Sequence, residues 1–105
     1  MQFKIVWSSE GLLDLEALYT YYREKDETVA NDIHDNMLDD VALLANFPVM
    51  APLEPMLKEM SKTYRSLVVA KGLFKVIYFA ENKCVFITHI WNCKQNPERL
   101  KISVR

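Results

Sequence analysis

The sequence predicts an α+β domain of order β-α-α-β-β-β, a two-helix hairpin packed on a small, mainly antiparallel sheet. The first observation behind this is a pair of apolar stripes at helical spacing through residues 10–44. The second is a set of apolar, strand-like runs between short polar breaks in residues 64–91. Helices segregated to one face of an antiparallel sheet are the layer solution for such an order. A chain of 105 residues, half of them apolar and only two of them Gly, reads as one domain over 1–105 with a core of its own.

Each element has a local cause. Gln2, Lys4 and Val6 alternate with Phe3, Ile5 and Trp7, the period of a half-buried strand. Ser8-Ser9 then offers an N-cap, and Glu10 places a negative charge in the first helical turn. Leu12, Leu15, Leu18, Tyr19 and Tyr22 predict the core stripe of a helix over Glu10–Glu24. Asp26-Glu27-Thr28 ends that helix and caps a second, whose core face is Ala30, Ile33, Met37, Val41 and Leu44 and which Pro48 stops. So short a polar link makes the two helices an antiparallel hairpin. Pro48, Pro52 and Pro55 predict an irregular crossing segment that stays apolar through Val49, Met50, Leu53, Met56 and Leu57. Strands follow over Tyr64–Ala70, Leu73–Phe79 and Cys84–Trp91, with turns at Lys71-Gly72 and Glu81-Asn82. A short helix is expected after Pro97. The last two strands are apolar on both faces; the helices cover one, and a protein partner is the natural cover for the other.

Net charge is −1, but it is split. Residues 1–54 carry three Lys/Arg against eleven Asp/Glu, net −8, and residues 55–105 carry ten against three, net +7. The basic half points to an acidic or polyanionic partner, against the simpler reading of solvated acidic helix faces beside a basic sheet. Cys84 and Cys93 read as reduced thiols. Together with His34 and His89 they lack the paired spacing of a zinc site, so neither metal nor cofactor is expected. No apolar run approaches the roughly 20 residues of a membrane span. Met1–Trp7 turns polar too soon for a signal peptide, which makes the cytoplasm the expected location.

The ordered motifs Tyr64-Arg65-Ser66-Leu67-Val68-Val69, Phe74-Lys75-Val76-Ile77-Tyr78, Ile90-Trp91 and Lys94-Gln95-Asn96-Pro97-Glu98-Arg99-Leu100 resemble the ParE/RelE superfamily of bacterial type II toxins, the plasmid stabilisation proteins. Ser8, Leu15-Glu16, Tyr21-Tyr22 and Asn46-Phe47-Pro48 extend the resemblance over nearly the whole chain. It implies the same β-α-α-β-β-β fold, growth arrest by the free toxin, and a cognate antitoxin whose C-terminal segment wraps the toxin. The target it implies is DNA gyrase for ParE-like members, which need no catalytic residues, or ribosome-bound mRNA for RelE-like endoribonucleases.

By motif position, Arg65 matches the basic residue that opens the strand before the first hairpin turn. Lys75 and Lys94 stand where Arg is usual, and Asn92-Cys93 where His-Gly or Asp-Cys is usual. The resemblance thus points to Arg65, Lys75, Trp91, Lys94 and Arg99 for binding target or antitoxin. If the chain cleaves RNA, the catalytic candidates are Arg65, Lys75, Lys94 and His89, with Glu54 or Glu59 as base. Lys lacks the rigid bidentate fork with which Arg grips phosphate. No Tyr follows the final strand, and the pI of about 6.1 disfavours docking to phosphate-rich RNA. The sequence therefore leans to gyrase inhibition over mRNA cleavage, with a non-toxic relative that only binds its antitoxin as a third reading. Arg65 and Lys75 are expected to meet across the sheet if their side chains share a face.

Overall fold

The computed structural model describes residues 2–94. Strand β1, Lys4–Trp7, leads into helix α1, Ser9–Arg23, and helix α2, Glu27–Ala42. A 3-10 turn, Leu43–Ala45, ends the hairpin, and the crossing segment carries another at Pro55–Leu57. Strands β2 (Arg65–Val69), β3 (Phe74–Glu81) and β4 (Cys84–Asn92) complete the sheet in the order β1-β4-β3-β2. The meander is antiparallel, and β1 joins it as a parallel edge strand against β4. The expected short helix after Pro97 lies outside the described residues.

The caps fall where the side chains allow. The Ser8 hydroxyl accepts from the Gly11 amide, and the Asp26 carboxylate accepts from the amides of Thr28 and Val29. Ala30, Met37, Val41 and Leu44 are buried against the sheet with Ile33 packed beside them, so the second stripe is core as expected. The first stripe is narrower than expected. Leu15, Leu18 and Tyr22 pack on the core, but Leu12 is 51% exposed because it sits on the flank of α1 rather than over the sheet.

The β3–β4 turn is one residue later than expected. Asn82 and Lys83 both have positive φ, at 53° and 61°, the two left-handed central residues of a type I′ hairpin. The β2–β3 connection holds Ala70, Lys71 and Gly72 at φ of 51°, 55° and 91°. Gly72 takes its value at no steric cost; Ala70 and Lys71 do not.

On the second face of the sheet the chain itself covers the part around Ile77 and Trp91, while Val68 stays 56% exposed. Leu57 of the crossing segment is buried with Ile77 and Trp91, and Met56, Met60 and Tyr64 pack around them. The prolines deny this segment a regular ladder, and it crosses the sheet through turns and the 3-10 turn at Pro55–Leu57. It is anchored by an isolated bridge from Leu53 to Arg65 and by the Ser66 amide donating to the Pro52 carbonyl, 3.0 Å.

Candidate functional site

The placement of every candidate side chain on the sheet depends on one irregularity. In the β3–β4 ladder Ile77 faces His89, while the next residue, Tyr78, faces Ile87. Thr88 is therefore the extra residue of a β-bulge, and β4 changes face there. Before the bulge, Val85 and Ile87 point into the helix-side core; after it, Ile90 does so, and His89 and Trp91 turn to the face under the crossing segment. Three bonds hold the bulge. The Thr88 hydroxyl donates to the Ile77 carbonyl (3.1 Å), the Ser8 hydroxyl to the Thr88 carbonyl (3.1 Å), and the Ser8 amide to the Ile87 carbonyl (2.9 Å). The residue that caps α1 thus also fixes the bulge.

Past Trp7, β1 no longer pairs with β4, and α1 takes over that edge. The Ile90 amide donates to Asp14 Oδ2 at 2.8 Å. Burial raises the Asp14 carboxyl above its ordinary range, more than this bond and the nearby His89 lower it.

The structure separates the cations that the motif positions group together. Arg65 lies opposite Tyr78 and Lys75 opposite Val68, so the two are three residues apart along the ladder, roughly 10 Å, and on opposite faces. The expected Arg65–Lys75 rim does not form. Arg65 instead donates through Nη1 to the Ala51 carbonyl at 2.8 Å, beside the Tyr78 hydroxyl, which donates to the Pro48 carbonyl at 2.9 Å. Together they tie the start of the crossing segment to the sheet.

Lys75 is also committed within the fold. Its Nζ lies 2.9 Å from Oε1 of Glu54, a residue only 1% exposed. The other Glu54 oxygen accepts from the Met56 amide at 2.9 Å. Burial works to raise the Glu54 carboxyl, but the Met56 amide, the Lys75 ammonium and the Ser66 hydroxyl outweigh it and hold the group below its ordinary range. Glu54 is therefore a sealed, ionised partner of Lys75, not an accessible base; Glu59 is exposed in the same segment.

Trp91 corrects a further expectation. It is 3% exposed beneath Leu57, so its ring is a core contact rather than a surface for target or antitoxin. His89 is half-buried on the same face. His89 Nδ1 and Trp91 Nε1 are both buried without a hydrogen-bond partner. Lys94 is exposed just past β4, its amide donating to Asn92 Oδ1 at 2.8 Å. Arg99 lies outside the described residues. The register sets His89 on the same face of the sheet as Lys75, which is paired with Glu54, and Arg65 on the other; no cluster of metal-ligating residues occurs among the described residues. Sequence reading missed Asp14 as a strand-edge acceptor and Ser8 as the bulge clamp, because both partners are more than 70 residues away in the chain.

No protein-family model matches the chain, and no curated protein matches it by sequence. Among solved structures, the fold matches a chain of "Chromosomal ParDE TA system from P. aeruginosa" with a TM-score of 0.72. The match covers 87% of this chain and 96% of that one at 18% identity. The two chains share a fold over most of their lengths. Among the described residues, no helix is long and apolar enough to cross a membrane.

Proposed function

We propose that this chain is the toxin of a bacterial type II toxin–antitoxin system, held inactive by a cognate antitoxin and acting in the ParE-like manner, by inhibiting DNA gyrase. The fold shared with a chain of a ParDE TA system supports the first part. The observation that carries the second is the tether of Lys75 to buried Glu54, with Arg65 held on the Ala51 carbonyl. Two of the cations that RNA cleavage would aim at a phosphate are occupied within the fold, and a phosphorane-like charge needs preorganised donors left open to it. Exposed Lys94 remains as a cation for the target surface.

Induction in a bacterial host with and without the neighbouring reading frame tests the toxin reading. Arrest without the neighbour and rescue with it are the expected result; healthy growth at high soluble expression would defeat it. Purified gyrase separates the modes. Loss of supercoiling is expected, whereas intact supercoiling with cut ribosome-bound mRNA would assign the RelE-like mode. Lys94→Glu is expected to abolish toxicity with an unchanged thermal melt, because the residue sits outside the core.

A further inference from the structure

Helix α2 carries Glu27, Asp32, Asp35, Asp39 and Asp40 and neither Lys nor Arg. Between it and the β2–β3 connection lies a cavity of about 230 Å³, lined by Val29, Ile33, Ala70 and Leu73. Asp32 and Asn36 stand on its helix lip and Lys71 on the other. Val29 and Leu73 are 44% and 38% exposed, so its apolar walls meet solvent.

This groove adjoins the point where the described chain ends. The Cys93 amide donates to the Leu73 carbonyl at 3.1 Å, so the chain leaves β4 at the groove's rim. Residues 95–105 follow. Their last part, Leu100-Lys101-Ile102-Ser103-Val104-Arg105, alternates apolar and polar, the period of an extended segment with one face buried. Ile102 and Val104 are β-branched, which favours that form. Asn96-Pro97 favours a turn that redirects the chain. The lengths agree. Val29 to Asn36 runs roughly 10 Å along α2, and Leu100 to Val104, extended, spans roughly 13 Å. Residues 94–99 reach at most roughly 20 Å, enough to turn from Leu73 into the groove.

Charge favours the same occupant. Residues 95–105 carry Arg99, Lys101 and Arg105 against Glu98 alone, opposite in sign to α2. A second copy of α2 would set acidic residues against acidic residues in either helix direction, with no Lys or Arg to offset them. A separate basic peptide would have to displace a tethered segment whose effective concentration is on the order of millimolar.

We propose that this groove holds the chain's own residues 100–104. Leu100, Ile102 and Val104 would turn into it against Val29, Ile33 and Leu73, with the cations of the segment set beside the acidic lip of α2. The inference does not depend on the toxin reading, since its test reads contacts within the chain rather than growth.

The full chain, labelled at its Ile, Leu and Val methyl groups, is the probe. Nuclear Overhauser cross-peaks are expected from the methyls of Leu100, Ile102 and Val104 to those of Val29, Ile33 and Leu73. Leu100→Ser with Ile102→Ser should move the amide shifts of Val29, Ile33 and Leu73 and leave those of Leu57 and Trp91 in place. Asp32→Lys, a change at an exposed position, should lower the remaining cross-peaks about twofold or more, and high salt should act in the same direction. A sample that mixes two differently labelled chains separates contacts within one chain from contacts between chains. Absence of cross-peaks to α2, cross-peaks to Leu57 and Ile77 instead, or indifference to Asp32→Lys would overturn the proposal. So would cross-peaks that arise only between chains, which would give the groove to the segment of a second copy.

Discussion

Replacing Lys75 by Met leaves the carboxylate of Glu54 sealed in the fold without its cation. Glu54 is 1% exposed and its Oε1 has the Lys75 ammonium at 2.9 Å. Removing one partner of a buried pair costs about 3–5 kcal/mol. The Lys75 side chain is 34% exposed, and the Met56 amide and Ser66 remain, so the lower end applies, about 3 kcal/mol. With a urea m-value of about 1.5 kcal/mol/M, the midpoint falls by about 2 M.

The pH dependence identifies the cause. In the native protein Glu54 titrates below its usual value of 4.5, so its contribution is fully present above that pH and is lost as pH falls through the folded pKa. In Lys75→Met the carboxyl is pushed up instead, and stability falls as pH rises through its new value. The gap between the two proteins should be widest near neutrality and close on acidification. Urea titrations at several pH values read it directly. Adding Glu54→Gln should recover about 2 kcal/mol of the loss, because no charge is then stranded. A penalty that does not change with pH, or a coupling below about 0.5 kcal/mol, would refute the buried-pair account.

Other positions give equally definite outcomes. Gly11→Ala places a Cβ 2.8 Å from the Ile87 carbonyl oxygen and 3.3 Å from the Ser8 hydroxyl. It should cost about 1–3 kcal/mol in chemical denaturation, through overpacking of α1 on β4. Lys83→Gly relieves a φ of 61° in the type I′ turn and should stabilise by about 0.5–1 kcal/mol, read as a higher melting temperature. Asp14 titrates above its usual 3.8, so its contribution is present below that pH and is lost as pH rises through the folded pKa. Asp14→Asn still offers Ile90 an acceptor and should remove that dependence, seen as a flatter stability profile in mildly acidic buffer.

The chain order of elements, both helix caps, the core face of α2 and the meander were legible in the sequence because each rests on contacts within a few residues. Ser8 and Asp26 bond amides no more than three residues on, and Ala30, Met37 and Val41 follow the helical period whatever they pack against. The motif order likewise gave the fold shared with a ParDE TA chain. What the sequence left open was every question of which side chains meet across the sheet. A single bulge at Thr88 reverses the face of His89 and Trp91, and the register, not the spacing, sends Arg65 and Lys75 to opposite sides. The crossing segment reads as irregular because its prolines exclude a ladder. Yet only tertiary packing could show that it delivers Glu54 to Lys75 and Leu57 over Trp91. A local pattern says whether a residue is apolar or charged; whether a cation is free for a target or spent inside the molecule depends on a partner 21 residues away that folding brings to 2.9 Å.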